Sequence, residues 1–501
     1  MMAQQFFAGV VIALFWLNFS ASTVLAEVTL RIGMESMPPG NGNPHTSGGF
    51  PPVFIWSALF DTLTELDDDG ALRGALAESW YIEDQLTWVF RMRDGIHFSN
   101  GESFDAIAAQ ETINFLLSDE GRVLSAYREL RTVDRVRARD RLTLEVKTSQ
   151  PDSMIPSRFA GLRIHPPRYF KDVGPAAFAL APHGTGTFMV DAWEPGQASA
   201  VPNPYAWRPA KLDRIKFIGV TDATARTQAL LSGSVDIAFN IDPSDIDQVE
   251  AAGAWINYRE RKSVQMWQFI TEVESPLQDK RVRQALNYAV DMEMIVKALL
   301  LGITRAATQP AARGTFGYNP NLLTYPYDPD KARSLLTEAG YPDGFSIEFQ
   351  VAVPSSEKAA IYLQIVQYLK QVGVNVELIR VPMSKQIQSI YGAPWNGKAF
   401  NMNYGSLPSL DPLSSLRFHS CLWPRPWICR VDIAERALAA DREFDKEKRR
   451  KIVSGLLHDL HDDPPGIIMY EEIHPDAIGK EVKTYRAPFG FVRYHTLEAK
   501  D

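Results

Sequence analysis

The sequence is short of the things that would mark a catalyst or a nucleic-acid binder. It has two cysteines in 501 residues and nine histidines that form a single close pair. There is no G-x-S-x-G elbow, no G-x-x-x-x-G-K-[ST] loop and no H-E-x-x-H pair, so the commonest hydrolase, phosphate-loop and zinc-protease signatures are missing. The net charge of −8 leaves no basic excess for a duplex. The one basic run, "EKRRK" at 447–451, reads as the charged face of a helix. "GTGTF" at 184–188 lacks the third glycine and the strand–helix setting of a dinucleotide site. No repeat of fixed period and no low-complexity tract occurs. One apolar run stands out, "FFAGVVIALFWL" at 6–17, and it is too short to span a bilayer as a helix.

That run is followed by the small and polar "NFSASTVLA", with Val24 and Ala26 at the −3 and −1 positions of a cleavage site. The reading is a signal peptide, residues 1–26, cleaved after Ala26, although "MMAQQ" carries no Lys or Arg ahead of the apolar core. Export changes what the cysteines mean. In an oxidising compartment, Cys421 and Cys429 are expected to form a disulfide rather than a metal or catalytic pair. No cysteine lies near the cleavage site, which excludes lipid attachment there and favours a freely diffusing periplasmic protein.

At this length two or three domains are expected, and the patterning is that of an α/β protein. "VTLRIGME" (28–35) alternates as a strand and opens into a loop rich in Gly, Pro and Asn at 36–52. Residues 53–64 read as a helix, "LTWVFRMRDGIHF" (86–98) as a hairpin turning at its Asp-Gly, 106–117 as an amphipathic helix and 141–148 as a strand. From 213 the order is strand, helix, strand. The clearest unit is 346–381, where Ile361, Ile365, Tyr368, Leu369 and Val372 give a helix one apolar face between two strands, with Ser355 or Ser356 as its cap. Such a crossover implies a parallel sheet covered by helices.

Several segments, taken in order, carry a resemblance. "LAESW" and "RMRDGIHFSNGESFDA" lie within 63–106, "GTGTFMVDAWEPGQ" spans 184–197, and "DATARTQALLSGSVDIA" spans 222–238. "DKRVRQALNYAVDMEMIVKALLLG" spans 279–302 and "YDPDKARSLLTEAGYPDGF" spans 327–345. Together they resemble the bacterial extracellular solute-binding proteins of family 5, the dipeptide, oligopeptide and nickel group served by ABC importers. The resemblance implies a type II, cluster C binding-protein fold: two α/β lobes, a hinge, and an extra subdomain inserted in the first lobe. The corresponding division is 27–270 for lobe I with the insert at about 60–185, 271–474 for lobe II, and 475–501 returning to lobe I. It places the crossings near 268–273 and 469–474. Most of the matching residues are structural. Gly95 and Gly101 permit turns with positive φ, Asp328 caps a helix that Pro329 begins, and Gly340 ends it.

For function the resemblance implies a non-enzymatic, monomeric binding component. It would close on a small-molecule or peptide solute and deliver it to permease subunits in the inner membrane, with no cofactor and no nucleic acid. In peptide-binding relatives an Asp four residues before the Pro of a "DP" element holds the ligand's α-ammonium. Here that position, counted back from Pro412, is Pro408, which has neither charge nor donor. A peptide-like cargo and other cargoes (opine-like compounds, oligosaccharides, metal chelates) both stay open. A secreted hydrolase and a periplasmic chaperone are the remaining alternatives. Candidate contacts on the second lobe are Tyr404, Ser406, Pro408, Arg417, Phe418, Trp423 and Trp427, with Arg425 as a further cation. Glu35, Ser36, Met37 and His45 from the loop after the first strand, and Trp267 at the crossing, complete the set. Each aromatic could instead pack under a loop, and each arginine could form a surface ion pair. His458 and His461 share a helix face as a weak metal candidate.

Overall fold

The computed structural model describes residues 27–352 and 356–500. The signal-peptide and serine-cap expectations fall outside what is described. Ten strands make one mixed sheet. Its order is 374–380, 345–351, 399–405, 255–269, 466–478, 237–238, 29–34, 214–219, 197–202 and 188–194. Two long strands, Trp255–Phe269 and Gly466–Ile478, hold it together. They pair antiparallel from Trp255↔Ile478 to Gln268↔Gly466. At one end Ile237–Ala238 joins the outer edge of the second long strand; at the other, Ala399–Gly405 joins the outer edge of the first. Each half of the sheet therefore belongs to a different lobe, and the chain passes between them twice.

The pairing of the long strands is broken in the middle. The register shifts between Glu260 and Val264, and Lys262 has a φ of 49°. The break lies at 261–263, earlier in the strand than the 268–273 segment. Gln268 and Phe269 are already paired with Phe400 and Ala399 of the second lobe. A bulge of this kind bends a strand and re-aims its side chains.

The strand–helix–strand unit forms as the pattern requires. Phe345–Val351 and Val374–Arg380 are parallel, joined by the helix Ser356–Gln371. Ile361, Ile365, Leu369 and Val372 are buried in the second-lobe core, with Tyr368 at its edge. The Asp328 side chain accepts from the Lys331 amide at 2.8 Å, and Gly340 has a φ of 93° past the helix end. The first-lobe core gathers Ile32, Phe54, Trp56, Phe217, Phe239 and Tyr494 from both ends of the chain.

The insert is a four-stranded antiparallel sheet, ordered 77–84, 87–92, 143–148, 133–140, with the helix Ala106–Leu117 against it. Its core runs from Leu63 to Ile164. Two local expectations need correction. The helix begun at Pro52 stops at Leu59, since Phe60 is extended and Thr64–Leu66 pairs with Leu72–Gly74. The strand Thr87–Met92 makes its hairpin with Ala77–Asp84 upstream, not across the Asp94–Gly95 turn. Gly95 and Gly101 do have positive φ, at 76° and 84°, but they guide an irregular loop with one bridge, His97 to Ser103.

The second lobe touches the insert directly. The Ser153 amide donates to the Asp441 carbonyl at 2.8 Å, and the Arg442 guanidinium donates to Gln150 at 2.9 Å. Trp88 of the insert meets Phe444 with ring centroids 6.1 Å apart.

Candidate functional site

The segment 404–430 begins on a strand of the shared sheet and runs through the short helix Leu413–Phe418 into a loop closed by the Cys421–Cys429 disulfide. Its aromatic residues pack on one another. Trp427 is buried with Ile270, Ile390, Phe400 and Ile428, and Trp395, Phe418 and Trp423 lie against that cluster. The Trp423 indole donates to the Ile390 carbonyl at 3.0 Å. Tyr404 stacks on His419 with centroids 3.9 Å apart, and burial pushes that imidazole down to about 3. Trp267 is buried in the second-lobe core between Phe349 and Tyr362.

The charged residues of the segment are engaged in the same way, whereas the Ser406 hydroxyl and the Trp427 indole N–H are buried with no hydrogen-bond partner among the described residues. Asp411 accepts from the Leu413 amide at 2.9 Å and pairs with Arg449 at 2.6 Å. Arg417 pairs with Asp441, which also lies 3.9 Å from Arg158 of the insert, itself paired with Asp152 at 2.8 Å. Arg425 donates to the Gly392 carbonyl at 3.0 Å. Ser406 is buried, with its amide donating to the Lys262 carbonyl at 3.0 Å. His461 has its Nδ1 2.7 Å from the Thr308 carbonyl, while the exposed His458 has Asp459 beside it.

From the first lobe, His45 is fully buried. Its Nε2 lies 2.9 Å from His165 Nδ1, and Phe115 and Phe170 pack around the pair. Burial, helped by Arg163, pushes His45 down to about 3. Ser36 is exposed and Met37 packs by Gly219. Glu35 accepts from the Asn240 side chain, and Asn240 in turn meets the His474 ring.

That chain leads to the break between the long strands. Arg259 makes a two-pronged pair with Asp476 at 2.8 and 2.9 Å, both residues being buried. Two residues on, Arg261 faces the Phe50 ring at 4.9 Å, and among the described residues no carboxylate is within ion-pair range of it. Burial lowers its pKa, while Glu472 and, more weakly, Glu35 act to raise it. Glu472 is tied to Asn403 of the second lobe at 2.9 Å. Lys262 bonds the Arg313 carbonyl at 2.9 Å and pairs with Glu260. A half-buried cation thus stands over an aromatic ring, with a fixed carboxylate in the surroundings on each lobe. Such a setting suits a small zwitterion: carboxylate to the guanidinium, ammonium towards the acidic groups.

Sequence reasoning did not single out Arg261, Asn240, Asn403 or Glu472. The signal available was "RERK" at 259–262, four charges in a row inside a strand that is otherwise half apolar. Nothing in one sequence says that Arg259 is matched by Asp476 and Arg261 by no carboxylate among the described residues.

A second feature lies beside Pro408. A cavity of about 70 Å³ is lined by Asp61, Glu65, Arg163, Arg208 and Arg493, with Pro408 as its second-lobe wall.

Family comparison agrees with this architecture. The model for bacterial extracellular solute-binding proteins, family 5 Middle, matches residues 71–415. A glutathione-binding protein GsiB of Shigella flexneri serotype 5b (strain 8401) is 27% identical over 390 residues, 74% of this chain and 74% of that protein. The periplasmic binding protein DppA of Helicobacter pylori, solved with the peptide STSA, superposes with a TM-score of 0.82. It is 18% identical and covers 94% of this chain and 98% of its own. The binding protein AgaA from A. tumefacien R10, solved with agropinic acid, superposes at 0.80. It is 21% identical and covers 94% and 99%. These likenesses establish the two-lobe fold of type II, cluster C periplasmic binding proteins.

Proposed function

Since the chain belongs to family 5 of the bacterial extracellular solute-binding proteins, we propose that it captures a small carboxylate-bearing solute at the break between its long strands. We propose further that it works in the periplasm as a monomer, without turning its cargo over, and hands the closed complex to the permease of an ABC importer. The observation that carries the reading is Arg261, a half-buried guanidinium over Phe50 with no carboxylate among the described residues in ion-pair range. An uncompensated cation removed from water is costly, and a ligand carboxylate relieves that cost as the lobes exclude solvent. Residues 261–263 and Glu472 are the proposed hinge, because the pairing of the two long strands is already interrupted there.

Pro408 cannot hold an ammonium, so a peptide bound through its N-terminus needs Glu35 or Glu472 instead. A peptide-like zwitterion such as glutathione and an opine-like compound both present a carboxylate to Arg261, and both occur among the cargoes of the proteins compared above. The aromatics Trp423, Trp427 and Trp267 fall out of the proposed contact set because their faces are taken up by packing.

Thermal-shift measurements with glutathione, dipeptides, an opine and a neutral oligosaccharide decide the class. Stabilisation confined to compounds with a free carboxylate, with the compound recovered unchanged, supports the reading. Stabilisation by the oligosaccharide alone, or conversion of the added compound, overturns it.

A further inference from the structure

The cavity beside Pro408 is separate from the Arg261 site in its chemistry, and its charges do not balance. Asp61 accepts from Thr185 at 2.9 Å and from the Trp207 indole at 2.8 Å. Glu65 is shared: Arg208 grips it with bonds of 2.9 and 2.6 Å, and Arg493 adds a third at 2.9 Å. Arg163 is left over. It is 5% exposed, its guanidinium makes one long bond of 3.5 Å to the Gly161 carbonyl, and among the described residues it has no acidic partner. Three arginines thus line a small space against two carboxylates. The local field is positive enough to register on a neighbour. His495 is held down to about 4, first by burial and then by Arg208 and Arg493.

We propose that this cavity is an anion subsite, taking one compact oxyanion, a carboxylate or a phosphate, against Arg163. The volume of about 70 Å³ has room for roughly five waters or one such group. A planar guanidinium with unused donors matches the paired oxygens of either anion. The position also couples the subsite to closure. Every other wall comes from the first lobe, the insert or the C-terminal segment, while Pro408 comes from the second lobe. Gly161 allows that approach: a Cβ there would lie 2.9 Å from the Pro408 ring. An anion in the cavity is thus enclosed when the second lobe seats, and it offsets the charge of Arg163 as water leaves. The oxyanion could be free, or it could be a second acidic group of the cargo proposed above; only the second source rests on that reading.

The test compares sodium phosphate with sodium chloride at equal ionic strength, by thermal shift on the mature protein without cargo, and then measures glutathione binding by calorimetry. A free-anion subsite predicts that phosphate raises the midpoint above chloride, with R163Q needing at least tenfold more phosphate for the same shift. A cargo-borne group predicts no phosphate preference but at least tenfold weaker glutathione binding in R163Q. P408D places a carboxylate on the cavity wall and should remove whichever response the wild type shows, which covers the case of R163Q failing to fold. R261Q separates the two sites, since a phosphate response should survive in it. If R163Q and P408D behave like the wild type in both arms, the cavity holds only water and the proposal is wrong. It is equally wrong if R261Q abolishes the phosphate response, because the anion then sits at the strand break.

Discussion

The disulfide-closed segment 404–430 and the break between the two long strands touch each other, through the Ser406 amide and the Lys262 carbonyl. They use their conspicuous residues in opposite ways. In the segment, the indoles of Trp423 and Trp427 pack edge to face on Phe418, Arg417 has Asp441, and Asp411 has Arg449. At the break the sequence is plain and the bonding is incomplete. Arg259 and Arg261 both face Phe50, yet one is neutralised by Asp476 and the other is not. Conspicuous composition marked a part of the molecule whose charged groups are paired, though the Ser406 hydroxyl and Trp427 indole N–H there lack partners among the described residues; the cation without a carboxylate lay in an ordinary charged stretch of strand. A protein that must bind a polar solute keeps some of its donors uncommitted, and those are found by asking what each group lacks.

The contrast can be broken most severely at Arg259. Replacing its partner, D476A, leaves a buried guanidinium unpaired and is expected to cost about 3–5 kcal/mol in urea unfolding. The same experiment on R261Q should show less than about 1 kcal/mol, because no protein partner is orphaned. Equal losses would mean that Arg261 is structural too. Next comes the disulfide. The chain-entropy model gives about 2.5 kcal/mol for a ring of this size, so the double variant C421S/C429S should unfold earlier in urea. Its solute affinity, measured below the unfolding transition, should stay within about threefold; a larger drop would return the segment to the contact set.

Acid should act on the packed regions more gently. His45 and His419 are held down to about 3 by burial. An unfolded imidazole titrates near 6.5, so the unfolded state binds the extra protons, and stability is full above that value and falls as pH drops towards 3. Between pH 7 and 6 each should cost about 0.7 kcal/mol. H419F should remove its own share of that slope, and an unchanged slope would count against the assignment.

The fold was legible in the sequence wherever a segment carried its own period or its own cap. The unit 345–380, the Asp328 cap and the helix Ala106–Leu117 stand where periodicity and turn chemistry put them. Legibility failed where distant strands decide. Phe60 leaves the helix because residues 64–66 have a strand to meet, and Thr87–Met92 turns to an upstream partner rather than across Asp94–Gly95. The proposed site was less legible still, for the same reason. Asp476 and Arg259 are 217 residues apart, and only their pairing shows that Arg261 has been passed over. The aromatic loop is ambiguous in a sequence because stacking on a ligand and stacking on a neighbour call for the same residues.

Arg261 is proposed above to receive the solute's carboxylate. Isothermal titration of the mature protein with glutathione or the best stabilising solute, and with the same compound carrying that carboxylate as an amide, tests it directly when repeated in R261Q. Amidation and R261Q should each weaken binding by about 10- to 100-fold, worth about 1.4–2.8 kcal/mol, and the two losses should not add. Losses that add in full, or an R261Q protein that still prefers the acid over the amide, would contradict it.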